Sequence, residues 1–232
     1  MRAVLLNITM GERPDEPAEL YKFATMVSIA CGGNGVDERS IRRAMTGARD
    51  AWAKVVAHVS FPCDADGRLP RGTEAEAVRD AMREQCAAVL RVAEWQGARI
   101  YAVKPHEALL EAACEERRIA DAVLDGAFEG LGMEVPLVGP FEGTMLDYVR
   151  QGNLDYLREA FADRMYRADG MLCPRNEEGA LVVDPQAAAE QALKLARSGK
   201  YDAICVHSDT PGAVAVAGTV RTALESQGLL SK

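Results

Sequence analysis

Histidine is scarce in this chain of 232 residues: there are three, with two tryptophans and an aromatic content of only 6%. No stretch approaches eighteen consecutive apolar residues, which excludes a transmembrane helix. Met1-Arg2-Ala3-Val4 leads straight into an apolar run, so no signal peptide and a cytoplasmic protein with no membrane partner are expected. Positive charge is also short, with 27 Lys and Arg against 35 Asp and Glu, a net −8. The arginines are scattered among acids as on solvated helix faces, which argues against a nucleic-acid partner. The six cysteines form no CxxC pair and no zinc-finger spacing, and they read as reduced, mostly buried thiols. Cys31 stands apart because Gly32-Gly33-Asn34-Gly35, a turn rich in positive-φ residues, follows it. That turn lacks the Lys-Ser/Thr of a phosphate-binding loop, so ATP binding by this chain itself is not expected.

What the chain has is alternation. With 48% hydrophobic residues it can bury one substantial core. Strand-like runs fall at residues 3–8, 26–30, 54–57, 99–103, 134–138, 156–160 and 201–206, with a brief extended piece at 181–183. Between them lie helical patterns. Asp37 can cap a helix whose Ile41, Ala44, Met45, Ala48 and Trp52 share one face. Residues 73–96 stop at Gly97, and 106–131 form one long or two short helices closed by Gly132. Shorter helices are expected at 141–151, at 185–197 with Pro185 in the first turn, and at 212–227. Strands separated by helices indicate a parallel sheet with crossover connections. About seven of them predict an α/β fold closed into an irregular TIM-like (β/α)7 barrel, a single domain over residues 1–232.

All three histidines follow apolar strand-like runs: Val55-Val56-Ala57-His58, Val103-Lys104-Pro105-His106 and Ile204-Cys205-Val206-His207. The carboxyl ends of strands are where α/β barrels place their chemistry. Three imidazoles at three such ends predict an enzyme site.

Several segments together resemble the LamB/YcsF family, which includes the A-type subunit of the bacterial ATP-dependent 5-oxoprolinase. They are Leu6-Asn7 with Gly11-Glu12, Ile29-Ala30-Cys31-Gly32, Ala57-His58, Val103-Lys104-Pro105-His106, Phe161-Ala162-Asp163-Arg164 with Tyr166, Asp169-Gly170, and Cys205-Val206-His207 with Asp209-Thr210-Pro211-Gly212-Ala213. The resemblance runs in the family's order along the whole chain. It implies an irregular barrel of the glycoside hydrolase and deacetylase type. It also implies a small cyclic amide such as 5-oxoproline as substrate, partner subunits of the 5-oxoprolinase B and C type, and ATP used through those partners. Self-association into a homo-oligomer is compatible with it.

The departures matter too. Where the family reads Asp-Leu-Asn-Cys-Asp, this chain has Leu5-Leu6-Asn7-Ile8-Thr9, and a family histidine is replaced by Asn34. Without those aspartates a metal site of the Asp/His kind is disfavoured, and no cofactor bound by this chain is expected. Two histidines with Asp209 or Glu12 leave a route to zinc, since three protein ligands and a water suffice.

Lactam hydrolysis needs a base for water, donors for the oxyanion and an acid for the leaving nitrogen. Lys104 and His106 are assigned to the oxyanion or a phosphate, Asp209 or Glu12 to the water, and His207 or His58 to the nitrogen. Asn7 supplies a fixed hydrogen bond, Arg164 clamps a substrate carboxylate beside Asp163, and Asn34 lines the substrate site. The competing readings are a metal-dependent amidase or carbohydrate deacetylase on the same barrel, and a non-catalytic subunit of an oxoprolinase-like complex.

Overall fold

Seven parallel strands pair in sequence order, and the last returns to the first: β1 (Leu5–Met10), β2 (Met26–Ala30), β3 (Lys54–Val59), β4 (Ile100–Pro105), β5 (Leu137–Gly139), β6 (Tyr156–Phe161) and β7 (Ala203–His207). The computed structural model describes residues 2–33, 36–65, 67–152, 154–168, 170–175 and 177–231, without the side chains of Thr144 and Tyr148. The helices are α1 (Glu38–Asp50), α2 (Ala75–Gln96), α3 (Glu107–Glu115), α4 (Arg117–Leu131), α5 (Thr144–Gly152), α6 (Pro185–Arg197) and α7 (Ala213–Ser226). This is the expected TIM-like (β/α)7 barrel.

Period-two alternation sorts each strand's residues between the helical layer and the barrel interior. Leu6, Ile8 and Met10 of β1, Val27 and Ile29 of β2, and Ile204 and Val206 of β7 join the large core under the helices. Leu5, Met26, Val56, Ala102, Val138 and Ala203 form a separate small cluster that plugs one end of the interior. The next inward positions are polar: Asn7 and Thr9, Ser28, His58, Lys104, Glu159, and Cys205 with His207. The pattern that folds the barrel therefore also fills its upper half with chemistry.

Local signals explain most boundaries. The Asp37 carboxylate accepts from the Ser40 N–H at 2.8 Å and caps α1. Gly97 and Gly132 end α2 and α4 in the left-handed conformation. The helical pattern from 106 to 131 breaks at Glu116, giving two helices. On α4, Gly126 sits so close to α2 that an added Cβ would lie 2.2 Å from the Arg79 carbonyl oxygen. That contact outweighs the better intrinsic helix propensity of alanine, about 1 kcal/mol.

Some expectations shift. β1 starts two residues later than predicted and runs to Met10, because Thr9 and Met10 continue the in–out alternation until Gly11 turns the chain at φ 91°. Trp52 does not share the buried face of α1. It lies past the helix end at φ 59° and is 95% exposed. The extended piece at 181–183 reduces to one antiparallel bridge between Leu181 and Arg164. A 3-10 helix at Ala18–Phe23 had no clear periodic signal.

Candidate active site at the carboxyl rim of the barrel

The site has a floor inside the barrel. Lys104 Nζ lies 2.6 Å from the Glu159 carboxylate and 3.6 Å from Cys205 Sγ. Asn7 Nδ2 donates to Glu159 at 2.6 Å and to Ser28 Oγ at 2.8 Å, and the Ser28 hydroxyl donates back to Asn7 Oδ1. Five strands are thereby tied through buried side chains. Burial alone would pull the Lys104 ammonium down. The Cys205 sulfur and the Glu159 carboxylate outweigh it and hold the ammonium above its ordinary value. A buried pair contributes little net stability against an apolar replacement, but removing one partner strands a charge.

Above the floor, the first loop brings Glu12 over the histidines of β3 and β4. Its Oε1 lies 3.4 Å from His106 Nε2 and 3.9 Å from His58 Nε2, and the two rings are 4.8 Å apart. His58 Nδ1 is 3.1 Å from the Lys104 carbonyl oxygen, which can only accept, so the proton sits on Nδ1. Burial, with the neighbouring His106 and Lys104 charges, keeps this imidazole well below its ordinary value. Burial would raise the Glu12 carboxyl, but the His106 hydrogen bond and the electrostatic influence of the neighbouring histidines bring it to about 2. Glu12 is held from behind by Glu16, whose carboxylate accepts the backbone N–H groups of Gly11, Glu12 and Arg13 and the Ser208 hydroxyl.

The third histidine has its own anchor. His207 Nδ1 lies 3.0 Å from the Asp163 carboxylate, which also accepts the His207 N–H at 2.7 Å and the Thr210 hydroxyl at 2.6 Å. The ring stacks on Phe161 at 5.4 Å. Nδ1–H donation to a carboxylate fixes the ring and leaves Nε2 to exchange a proton, the arrangement general acid–base catalysis uses. Burial would raise the Asp163 carboxyl, but the His207 charge and these hydrogen bonds lower it to about 2.

Arg175 spans the rim, pairing with Glu107 beside His106 at 2.9 Å and with Asp209 beyond His207.

The three histidines and Glu12 stand at the same end of the barrel: His58 and His106 face Glu12, and Ser208, next to His207, donates to Glu16 on the loop that carries Glu12. Other expected residues lie elsewhere than their roles require. Lys104 and Asn7 sit one layer down, bound to Glu159, which places Lys104 too deep for the oxyanion role. Asp209 is tied to Arg175 at the outer edge and so is engaged as a counter-ion rather than held over the mouth as a water base. Arg164 is buried, with Nη2 donating to the Cys173 carbonyl, and does not present a carboxylate clamp. Asp163 orients His207 rather than meeting substrate. Asn34 lies outside the described residues. The Cys31 thiol is buried and pushed well above its ordinary value, principally by desolvation, which removes it as a nucleophile.

Glu159, Glu16 and Arg175 were not singled out as site residues from the sequence. Glu159 carried a signal, a lone acid at an alternate position of the weakly strand-like 156–160 run. Glu16 and Arg175 lie in irregular loops, where spacing says nothing about direction.

A closed parallel barrel with imidazoles and carboxylates gathered at its carboxyl rim defines the class, a TIM-like barrel with an enzyme-type site. The chain belongs to the LamB/YcsF family, whose model matches residues 6–232. It is 34% identical over 247 residues to a Chloroflexus aggregans protein named as the A-type subunit of 5-oxoprolinase, covering 99% of this chain and 98% of that one. The crystal structure of a lactam utilization protein from Thermus thermophilus superposes with a TM-score of 0.88 at 29% identity, covering 100% and 99% of the two chains. A family 4 carbohydrate esterase from Streptomyces lividans shares the fold alone, with a TM-score of 0.53 at 11% identity over 99% and 91%.

Two outcomes follow from the buried charges. Lys104→Met is expected to cost about 3–5 kcal/mol in urea unfolding, and Lys104→Met with Glu159→Leu to recover most of it. Asp163 falls from the ordinary 3.8 to about 2 on folding, so its contribution, about 2 kcal/mol, is present above pH 4 and lost as pH falls through 2. Asp163→Asn should therefore flatten the acid limb of a stability-versus-pH curve.

Proposed function

We propose that this chain is the hydrolytic subunit of an ATP-dependent lactam hydrolase acting on 5-oxoproline or a similar cyclic amide. The family membership and the names carried by its relatives support a lactam-related role. The single observation that carries a catalytic rather than a structural reading is His207, whose Nδ1 is fixed by the Asp163 carboxylate, itself held by the Thr210 hydroxyl, at the end of the barrel where Glu12, His58 and His106 stand.

In this reading, water is received against the Glu12–His58–His106 wall, gives a proton to His207 Nε2 and adds to the lactam carbonyl. The C–N bond breaks as His207 Nε2 passes that proton to the leaving nitrogen, and the product is an open-chain amino acid. Asp163 stabilises the imidazolium that forms and fixes its orientation. Arg175, already in contact with two carboxylates at the rim, receives the substrate carboxylate in place of one of them. Partner subunits of the B and C type use ATP to activate the ring, which explains how an otherwise stable lactam is driven open.

The test is a reconstituted assay with the partner subunits, ATP and 5-oxoproline, following glutamate release and phosphate separately. His207→Ala is expected to lower glutamate release by about 10²–10⁴-fold. Unchanged release from that variant would assign the chain a non-catalytic, assembly role.

A further inference from the structure

Glu12, His58 and His106 stand together at the mouth, and the His58–Glu12 contact sets an acceptor against an anion. His58 has committed its ring proton to the Lys104 carbonyl, so its Nε2 presents a lone pair toward Glu12. The carboxylate oxygen is also an acceptor, and the two acceptors face each other at 3.9 Å. Hydrogen-bonding groups in a site this enclosed are ordinarily satisfied, and a lone pair opposed to a carboxylate is satisfied by a cation.

The spacing points the same way. The three ligand atoms lie within 4.8 Å of one another. Two ligands each about 2.0 Å from a tetrahedral zinc stand about 3.3 Å apart. Glu12 and His106 are already near that separation at 3.4 Å, Glu12 and His58 would close by roughly 0.6 Å, and the widest pair, the two imidazole nitrogens at up to 4.8 Å, by roughly 1.5 Å. Glu12 and His106, both only part-buried, are the ligands with freedom to make these adjustments around the buried His58.

From these contacts we infer that Glu12, His58 and His106 form a binding site for one borderline divalent transition-metal ion, zinc in the first instance, with a fourth position open to the mouth.

The donor set of two imidazoles and one carboxylate suits zinc or cobalt rather than calcium or magnesium, which prefer all-oxygen shells. Support behind the ligands has the form such sites need. The Lys104 carbonyl fixes the His58 tautomer, and Glu16 fixes the loop that carries Glu12. The positive charge in the floor, Lys104, is paired with Glu159. Three protein ligands with an open fourth position are the arrangement of a catalytic rather than a structural zinc site. The family aspartates missing at Leu5 and Thr9 are not required: the third ligand comes from the loop after β1.

Metal binding is read on the purified full chain, without partner subunits, ATP or lactam, so a failure here and a failure of the lactam reading are separate results. After chelation and dialysis, cobalt(II) is expected to bind one per chain with visible absorption of a tetrahedral or five-coordinate ion, and zinc to displace it. Outer partners alone are worth about 10–100-fold in affinity. Glu12→Gln, His58→Ala and His106→Ala should therefore each weaken cobalt binding by more than about tenfold, with folding verified by circular dichroism. His106→Ala and Glu12→Gln touch part-exposed side chains and keep the test valid if His58→Ala fails to fold. His207→Ala should leave the cobalt spectrum in place. Absence of one-to-one binding by the wild-type chain, undiminished binding in the Glu12 and His106 variants, or loss of the spectrum in His207→Ala alone would overturn the assignment.

Discussion

The ion pair between Lys104 and Glu159 is the constraint on which the upper half of this barrel depends. Below it the interior is apolar and closed; above it every inward position has to be polar or face the mouth. A lysine and a glutamate taken out of water would each cost several kcal/mol alone, so neither tolerates the absence of the other. The Asn7 and Ser28 side chains complete the pairing and tie it to β1 and β2. The same lysine supplies the carbonyl that fixes His58, so charge pairing in the floor and proton placement at the mouth are connected through one residue.

Above that floor the mouth divides by function. On the β3–β4 side, a carboxylate faces two imidazoles, a combination suited to holding a cation or a polarised water. On the β7 side, a third imidazole is oriented by Asp163 and suited to moving a proton. Arg175 joins the two sides at the rim through Glu107 and Asp209. Glu107 adopts φ 23° directly after His106, an uncommon conformation for a residue with a side chain. The barrel places both halves at one end because His58 lies near the end of β3, His106 directly follows β4 and His207 ends β7.

The barrel was legible because its strands are short apolar runs separated by capped, amphipathic helices, signals that depend on neighbours in sequence. Histidines 58, 106 and 207 were legible for the same reason, since a strand end fixes where a side chain emerges. Depth and direction were not. Lys104 and His106 are two residues apart, yet one points into the interior and the other stands at the rim, because β4 ends between them. Asp209 and Arg164 carry the right chemistry for the roles assigned to them, but loop geometry turns the first to Arg175 and the second to the Cys173 carbonyl. Glu16 and Arg175 act from irregular loops, where no period relates position to direction. Trp52 fell on the apolar face of the α1 pattern only because periodicity does not record that the helix has already ended.

The central claim is that His58 and His207 are held at one rim with Nδ1 committed to a carbonyl and to a carboxylate, and the scarcity of histidine makes this directly observable. Long-range proton–nitrogen correlation spectra of protein labelled with 15N-histidine should resolve three rings. His58 should appear as the Nδ1-protonated neutral form, remaining so as pH is lowered below the ordinary value of 6.5, and His207 should show an Nδ1 proton engaged by a carboxylate. A His58 ring that protonates at its ordinary value, or averaged tautomers at His58 and His207, would mean that the side chains are free in solvent, and the account of the site would be wrong.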